Sequence, residues 1–172
     1  IYDPAGTLGD LAALPRADFS AGQIVIASAY TLELERFVRG GGRAVLVQAG
    51  TSGLPVQQVP FWRESIKLLC DHPLLNAFPH AGYADLQFYH LATDCSFDTA
   101  AFADMDVTHV MRRLDARLFS MLDYVVDVRV GAGRLLATTL RLFGGVGNQV
   151  QGLEANVAGE FLLHQMVRVL ED

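Results

Sequence analysis

The sequence predicts a layered α/β domain: a three-layer arrangement in which helices cover both faces of a mostly parallel sheet, with a β-hairpin late in the chain. Three stretches carry that expectation. Residues 23–48 read as strand, helix, glycine run and strand, the pattern of a βαβ unit whose crossover is right-handed by strong rule. Residues 124–130 and 134–140 are apolar runs on either side of Gly131-Ala132-Gly133, a three-residue connection in which glycine adopts positive φ without cost. The second run, Leu135-Leu136-Ala137-Thr138-Thr139-Leu140, is nearly free of charge, as a strand covered on both faces must be.

Composition bounds the rest. With 172 residues, 51% of them hydrophobic and 19% charged, the chain reads as one domain with a large core for its size. An ordinary globular protein has about 25% charged residues, so this one is expected to bury much of its surface or lean on a neighbour. A formal net charge of -6 and a single lysine, Lys67, argue against a nucleic-acid partner, because backbone binding needs clustered cations. No apolar run approaches the roughly 18 residues of a membrane span, so no membrane partner is expected. Cys70 and Cys95 have no C-x-x-C spacing and read as buried free thiols, neither a zinc nor a redox site. The chain opens at Ile1-Tyr2-Asp3-Pro4 and reads as a piece of a longer protein.

Taken in order, Ile1-Tyr2-Asp3 reads as the tail of a first strand, and residues 8–14 as a short helix that Pro15 ends. Gln23-Ile24-Val25-Ile26-Ala27-Ser28 is a parallel strand. Ser28 or Thr31 can cap the helix that follows, where Leu34, Phe37 and Val38 recur at helical spacing while Glu33, Glu35, Arg36 and Arg39 face water. Gly40-Gly41-Gly42 ends that helix, and residues 43–48 start a second buried strand. An irregular insertion is expected around 50–105: a loop over 50–60, a short helix or extended segment over 61–70, and a mixture of prolines and aromatics over 72–88. Residues 107–118 alternate as a strand. Phe143-Gly144-Gly145-Val146-Gly147-Asn148 is a plain glycine-rich loop, and Asn156 caps a last helix whose buried stripe is Val157, Phe161, Leu162, Met166, Val169 and Leu170.

Chemistry is sparser. The third strand delivers Gln48-Ala49-Gly50-Thr51-Ser52-Gly53, which has only part of a nucleophile elbow and no cysteine at the bend. His72, His80 and His90 share a segment with Asp71 and Asp85, yet their spacing fits no metal-ligand motif, so local hydrogen bonds are the expectation. No catalytic residue, metal or cofactor is assigned. The charged run Arg112-Arg113-Leu114-Asp115-Ala116-Arg117 suits internal ion pairing, or contact with an acidic group on another domain. Trp62 and Tyr83 are aromatics for a sugar platform or an interface.

Residues 24–47, IVIASAYTLELERFVRGGGRAVLV, with 131–140, GAGRLLATTL, resemble the class I glutamine amidotransferase-like superfamily. The nearest branches in character are the trehalose-utilisation (ThuA-like) proteins and the trimerisation domain of β-galactosidases. That resemblance implies a flavodoxin-like layered fold; the amidotransferase cysteine has no counterpart here. More narrowly, PFWRESIKLL, DHPLLNAFPHAGYADLQFYHLATD, RRLDARLFSMLDYVVDVRVGAGRLLATTLRLFGGVGNQ and GLEANVAGEFLLHQM look like a region toward the C-terminal side of bacterial family 2 glycoside hydrolases, the β-galactosidase and β-glucuronidase group. The hydrolytic carboxylates of such a parent lie on a (β/α)₈ barrel of about 250 residues, which this chain cannot contain.

The expected function is therefore a non-catalytic accessory domain packing against sister domains or subunits, through Trp62, Phe78, Tyr83, Phe88 and residues 112–117. One alternative is a ThuA-like small-molecule-binding or hydrolytic protein, with His80, Asp85 and Arg117 lining a pocket at the carboxyl ends of the strands. The other is a carbohydrate-binding module using Trp62 and Tyr83.

Overall fold

The computed structural model describes residues 1–61, 64–84, 86–144 and 151–172. The βαβ unit is present. Strands β1 (Ile24–Ala27) and β2 (Arg43–Val47) are parallel, with Ile24 opposite Arg43 and Ala27 opposite Leu46, and helix α1 (Leu32–Arg39) connects them. Thr31 caps α1, its Oγ1 accepting from the Leu34 N–H at 3.2 Å; Ser28 instead accepts from the Ala5 N–H at 3.0 Å. Tyr2 adds a parallel bridge beside Ala27. Leu34 and Val38 are buried, so the 3.6-residue period was the right one.

Further along, the architecture departs from expectation. The remaining strands are β3 (Val56–Gln58), β4 (Ile66–Leu69), β5 (Tyr83–Ala84), β6 (Cys95–Phe97), β7 (Asp106–Asp115), β8 (Ser120–Val130) and β9 (Gly133–Thr138), and helix α2 (Val157–Glu171) ends the chain. They form a nine-stranded mixed sheet in the order β1-β2-β9-β8-β7-β4-β5, with β3 pairing β6 and β6 bridging to β8. Among the described residues the parallel strand pairs are β1–β2 and β2–β9, beside the single Tyr2–Ala27 bridge, and the other strand pairs are antiparallel. The expected helix-rich, three-layer, flavodoxin-like parallel sheet is thus overturned. The reason is connection length. A parallel neighbour needs a crossover of a dozen or more residues, usually a helix, and between β2 and β9 the helical structure of the described residues is limited to 3-10 turns at Pro73–Leu75, Leu86–Phe88 and Thr99–Ala101. The link between β7 and β8 is residues 116–119, which permits only a hairpin.

Local corrections follow the same logic. Residues 8–14 form a 3-10 turn, Gly9–Leu11, in place of a helix. The loop over 50–60 contains β3, and the segment over 61–70 contains β4, so the supposed insertion supplies four of the sheet's strands. The strand expected over 107–118 stops at Asp115.

The central hairpin is tighter than expected. Val130 pairs with Gly133, leaving the two-residue turn Gly131-Ala132, with Gly131 at φ +61°. Glycine at the first central position is what such a turn requires. Beyond it β9 lies between β8 and β2, and its central and last residues are buried on both faces.

Each face of β2 feeds a separate core. Ala44 and Leu46 join Leu34 and Val38 of α1, together with Val126, Val128 and Leu135. Val45 and Val47 join Leu162, Met166 and Leu170 of α2, together with Tyr124, Val125 and Leu136. Asn156 caps α2 as expected, its Oδ1 accepting from the Gly159 N–H at 3.4 Å. Leu162, Met166, Val169 and Leu170 are buried, whereas Val157 in the first turn faces solvent.

Candidate functional site

Two of the residues singled out in the sequence, Tyr83 and Arg112, lie on one face of the sheet. Antiparallel register places directly opposed side chains on the same face. Tyr83, Leu68, Arg112 and Asp123 therefore form one row across β5, β4, β7 and β8, and Ile66, Leu114 and Met121 form the next. Tyr83, Ile66 and Met121 are exposed, and Arg112 is partly covered, its Nε donating to Asp123 Oδ1 at 3.2 Å. Beside these rows, Leu118 and Phe119 stand out in solvent at the β7–β8 turn, Phe119 at 92% exposure and with φ +50°. That backbone region is costly for a bulky side chain. Arg117 lies over the Phe61 ring, 4.0 Å from its centroid, and pairs with Glu64.

Asp115 has a structural task. Its Oδ1 accepts from the N–H groups of Arg117 (3.0 Å) and Leu118 (3.1 Å), and its Oδ2 from Arg113 Nη2 (3.2 Å). The Leu118 N–H is the chief cause holding this carboxyl below the usual range. His80 is exposed and its Nδ1 accepts from the Gly82 N–H at 3.1 Å. It sits at the Leu69 end of β4, whereas Arg117 is tied to Glu64 at the other end, so the two line no common pocket. Trp62 and Asp85 lie outside the described residues, as does most of the glycine-rich loop over 143–148. Of the interface aromatics, Phe88 is core, packed 4.9 Å from the half-buried Phe78.

Two carboxylates, the buried Asp123 and the half-buried Asp127, organise the charged groups of β8. Asp123 accepts from Arg112 Nε, from Thr99 Oγ1 at 3.2 Å, and contacts His109 Nδ1 at 3.0 Å. Burial pushes its carboxyl up against the pull of His109 and Arg112. Asp127 differs. Burial alone would push it up, but hydrogen bonds from His72 and Arg134 outweigh this and hold it below the usual range. Because His72 Nδ1 accepts from the Leu74 N–H at 3.2 Å, the ring proton is on Nε2, which donates to Asp127 Oδ2 at 3.1 Å. A folded-state value below the unfolded one adds stability that is complete above about pH 4 and lost as pH falls through the folded value. Asp127→Asn should therefore lower the urea midpoint at pH 7 and flatten the loss seen between pH 7 and pH 3. An acid limb as steep as wild type's would remove Asp127 as a cause. Among the described residues no three metal-ligating side chains gather, and the His72, His80 and His90 set is dispersed.

A cleft lies elsewhere on the sheet. Along one edge of β8, β9 occupies residues 125–130 and β6 meets Asp123, and a cleft of ≈ 480 Å³ opens where β9 ends. It stands at the carboxyl ends of β2 and β9, the place where open sheets with parallel strands take ligands. Val47, Leu140, Leu142 and Phe143 give it apolar walls, and Gln58, Asp94, Thr139 and Arg141 bring polar groups. Gln58 Nε2 donates to Asp94 Oδ2 at 2.6 Å. Below the cleft Tyr124 OH donates to the Thr93 carbonyl at 2.9 Å, and Thr93 Oγ1 donates to the carbonyls of Cys95 (2.8 Å) and Thr139 (3.1 Å). Gln48 is buried and clasps the following loop, donating to Leu54 O and accepting from Leu54 N, both at 2.9 Å. Ser52, on that loop, is exposed and in no elbow. Burial raises the Cys95 thiol, so the cleft offers no ready thiolate. Gln58, Asp94 and Arg141 were not singled out in the sequence; the one signal for them was the rule that ligands sit where parallel strands end.

Fold and site together define a mixed-sheet α/β domain with an uncovered antiparallel face and a ligand-sized cleft at its parallel edge. A scan against models of known families and a search of curated proteins each found no match.

Proposed function

We propose that this chain is a non-catalytic accessory domain of a bacterial glycoside hydrolase of the β-galactosidase type, which packs against a sister domain through the outer face of β4, β5, β7 and β8. The observation that carries the reading is the apolar surface of Ile66, Met121, Tyr83, Leu118 and Phe119, all exposed and contiguous by strand register or turn position. Clustered exposed apolar residues mark interaction surfaces, whereas isolated ones are ordinary. The left-handed backbone at Phe119 holds its ring out into solvent at the β7–β8 turn. The resemblance of residues 61–163 to a segment of family 2 hydrolases supplies the identity of the partner.

Phe119→Asn tests this directly. Asparagine tolerates the left-handed region, so the chain should be as stable as wild type or gain up to about 1 kcal/mol. In the full-length parent, the same substitution should increase hydrogen exchange over β4 and the β7–β8 turn by loosening the docked face. Equal exchange in wild type and variant, or hydrolysis of nitrophenyl glycosides by this chain alone, would overturn the proposal.

A further inference from the structure

We propose that the sister domain meets the outer face of β4, β5, β7 and β8 with an acidic side chain, whose carboxylate accepts from both Nη groups of Arg112. This rests on the docking reading above and adds the chemistry of the partner. Among the arginines of the run 112–117, Arg113 is fully buried with four partners, and Arg117 pairs with Glu64. Arg112 is different. Its Nε donates to Asp123 Oδ1 at 3.2 Å, its one hydrogen bond among the described residues, and its side chain is 27% exposed. Both Nη groups reach solvent and have no partner among the described residues.

Register puts this guanidinium inside the docking face. Tyr83, Leu68 and Arg112 are directly opposed across β5, β4 and β7, and Ile66, Leu114 and Met121 form the neighbouring row. Tyr83, Ile66 and Met121 are exposed, so a partner that covers them takes Arg112 out of water as well. A guanidinium desolvated with its donors unmet is strongly destabilising, so the partner must bring acceptors. Asp123 is already committed. Its Oδ1 receives Arg112 Nε and contacts His109 Nδ1 at 3.0 Å, and its Oδ2 accepts from Thr99 Oγ1 at 3.2 Å, so three groups share one buried charge. The tether through Nε also fixes the plane of the guanidinium and leaves the Nη1–Nη2 edge free, a geometry that the two oxygens of a carboxylate match. A carboxylate supplies both the acceptors and the opposite charge.

Carbodiimide coupling in the full-length parent tests this. A carbodiimide joins an amine to a carboxylate that it touches, and Arg112→Lys keeps the charge while placing an amine at the site. The chain's own lysine, Lys67, is buried, so coupling from elsewhere in the domain is low. Peptide mapping should find position 112 joined to an Asp or Glu of another domain. Amide hydrogen exchange is the second readout: the parent should protect β4 and β7 more than this chain alone does, and Arg112→Gln should lower that parent-to-chain ratio about tenfold. Taking the ratio removes the loss at Asp123, which the variant suffers in both contexts. Position 112 joined only to Asp123, no joining, or an unchanged ratio in Arg112→Gln would overturn the proposal, and continued protection of β4 and β7 in the parent would leave the docking reading standing. Equal exchange of β4 and β7 in parent and isolated chain would overturn the docking reading itself, and this proposal with it.

Discussion

Gly133→Ala is expected to cost about 3 kcal/mol, among the largest effects of any methyl-sized change in this chain. A Cβ there would stand 1.9 Å from the Val38 carbonyl oxygen and 2.3 Å from that of Gly42. Both atoms belong to backbone already committed, for the hairpin docks onto the end of α1 through main-chain bonds: Ala132 N–H to Arg39 O at 3.2 Å, and Arg134 N–H to Gly42 O at 3.1 Å. Relief requires moving α1 away from β9, which would open the core that Leu34 and Val38 share with Leu135 and Ala137. Gly9→Ala is the control: nothing lies within 4 Å of its added carbon, and the change should stay within about 0.5 kcal/mol. Urea denaturation of the two variants measures the contrast, and equal midpoints would show that the hairpin and helix yield easily.

Arg113→Met should be of similar size, about 3 kcal/mol or more. The side chain of Arg113 is fully buried in β7, yet it is a guanidinium with four partners. Nη2 donates to Val59 O (3.1 Å), Pro60 O (2.9 Å) and Asp115 Oδ2 (3.2 Å), and Nη1 to Asp94 O (3.2 Å). Methionine fills the stem's volume but leaves three carbonyls and a carboxylate without their shared donor, and unmade buried bonds cost more than made ones contribute. Arg113→Lys should recover only part of the loss, because an ammonium cannot reproduce the planar fork. For a domain of this length each kcal/mol lowers Tm by roughly 2–4 °C, so a melting curve suffices. An unchanged Tm in Arg113→Met would mean that desolvating the guanidinium cancels everything its partners return.

Arg113 also illustrates how far a sequence can be read. The run 112–117 was legible as charged and pairing, and alternation along a strand puts Arg113 and Asp115 on the same side. The sequence could not say that this side faces inward, because the acceptors are the carbonyls of Val59, Pro60 and Asp94, more than fifteen residues away and carrying no side-chain signature. The cleft was hidden for a similar reason. The cleft lies where β6 and β9 share one edge of β8, and its lining comes from segments as far apart as Gln58, Asp94 and Arg141.

By itself the sequence determined what depends on neighbours a few residues apart: the βαβ unit, a side-chain cap for its helix at Ser28 or Thr31, the two-strand hairpin around Gly131, the apolar burial of β9 and the Asn156-capped final helix. Those features rest on side-chain period, capping chemistry and turn backbone, which are local. Only the tertiary structure decided the sheet's direction and order, the core or surface side of each strand from β3 to β7, and the meeting of distant segments at the cleft. Pairing between strands uses backbone groups that every residue carries, so the choice of partner is set by loop lengths and by competition for core space across the whole fold.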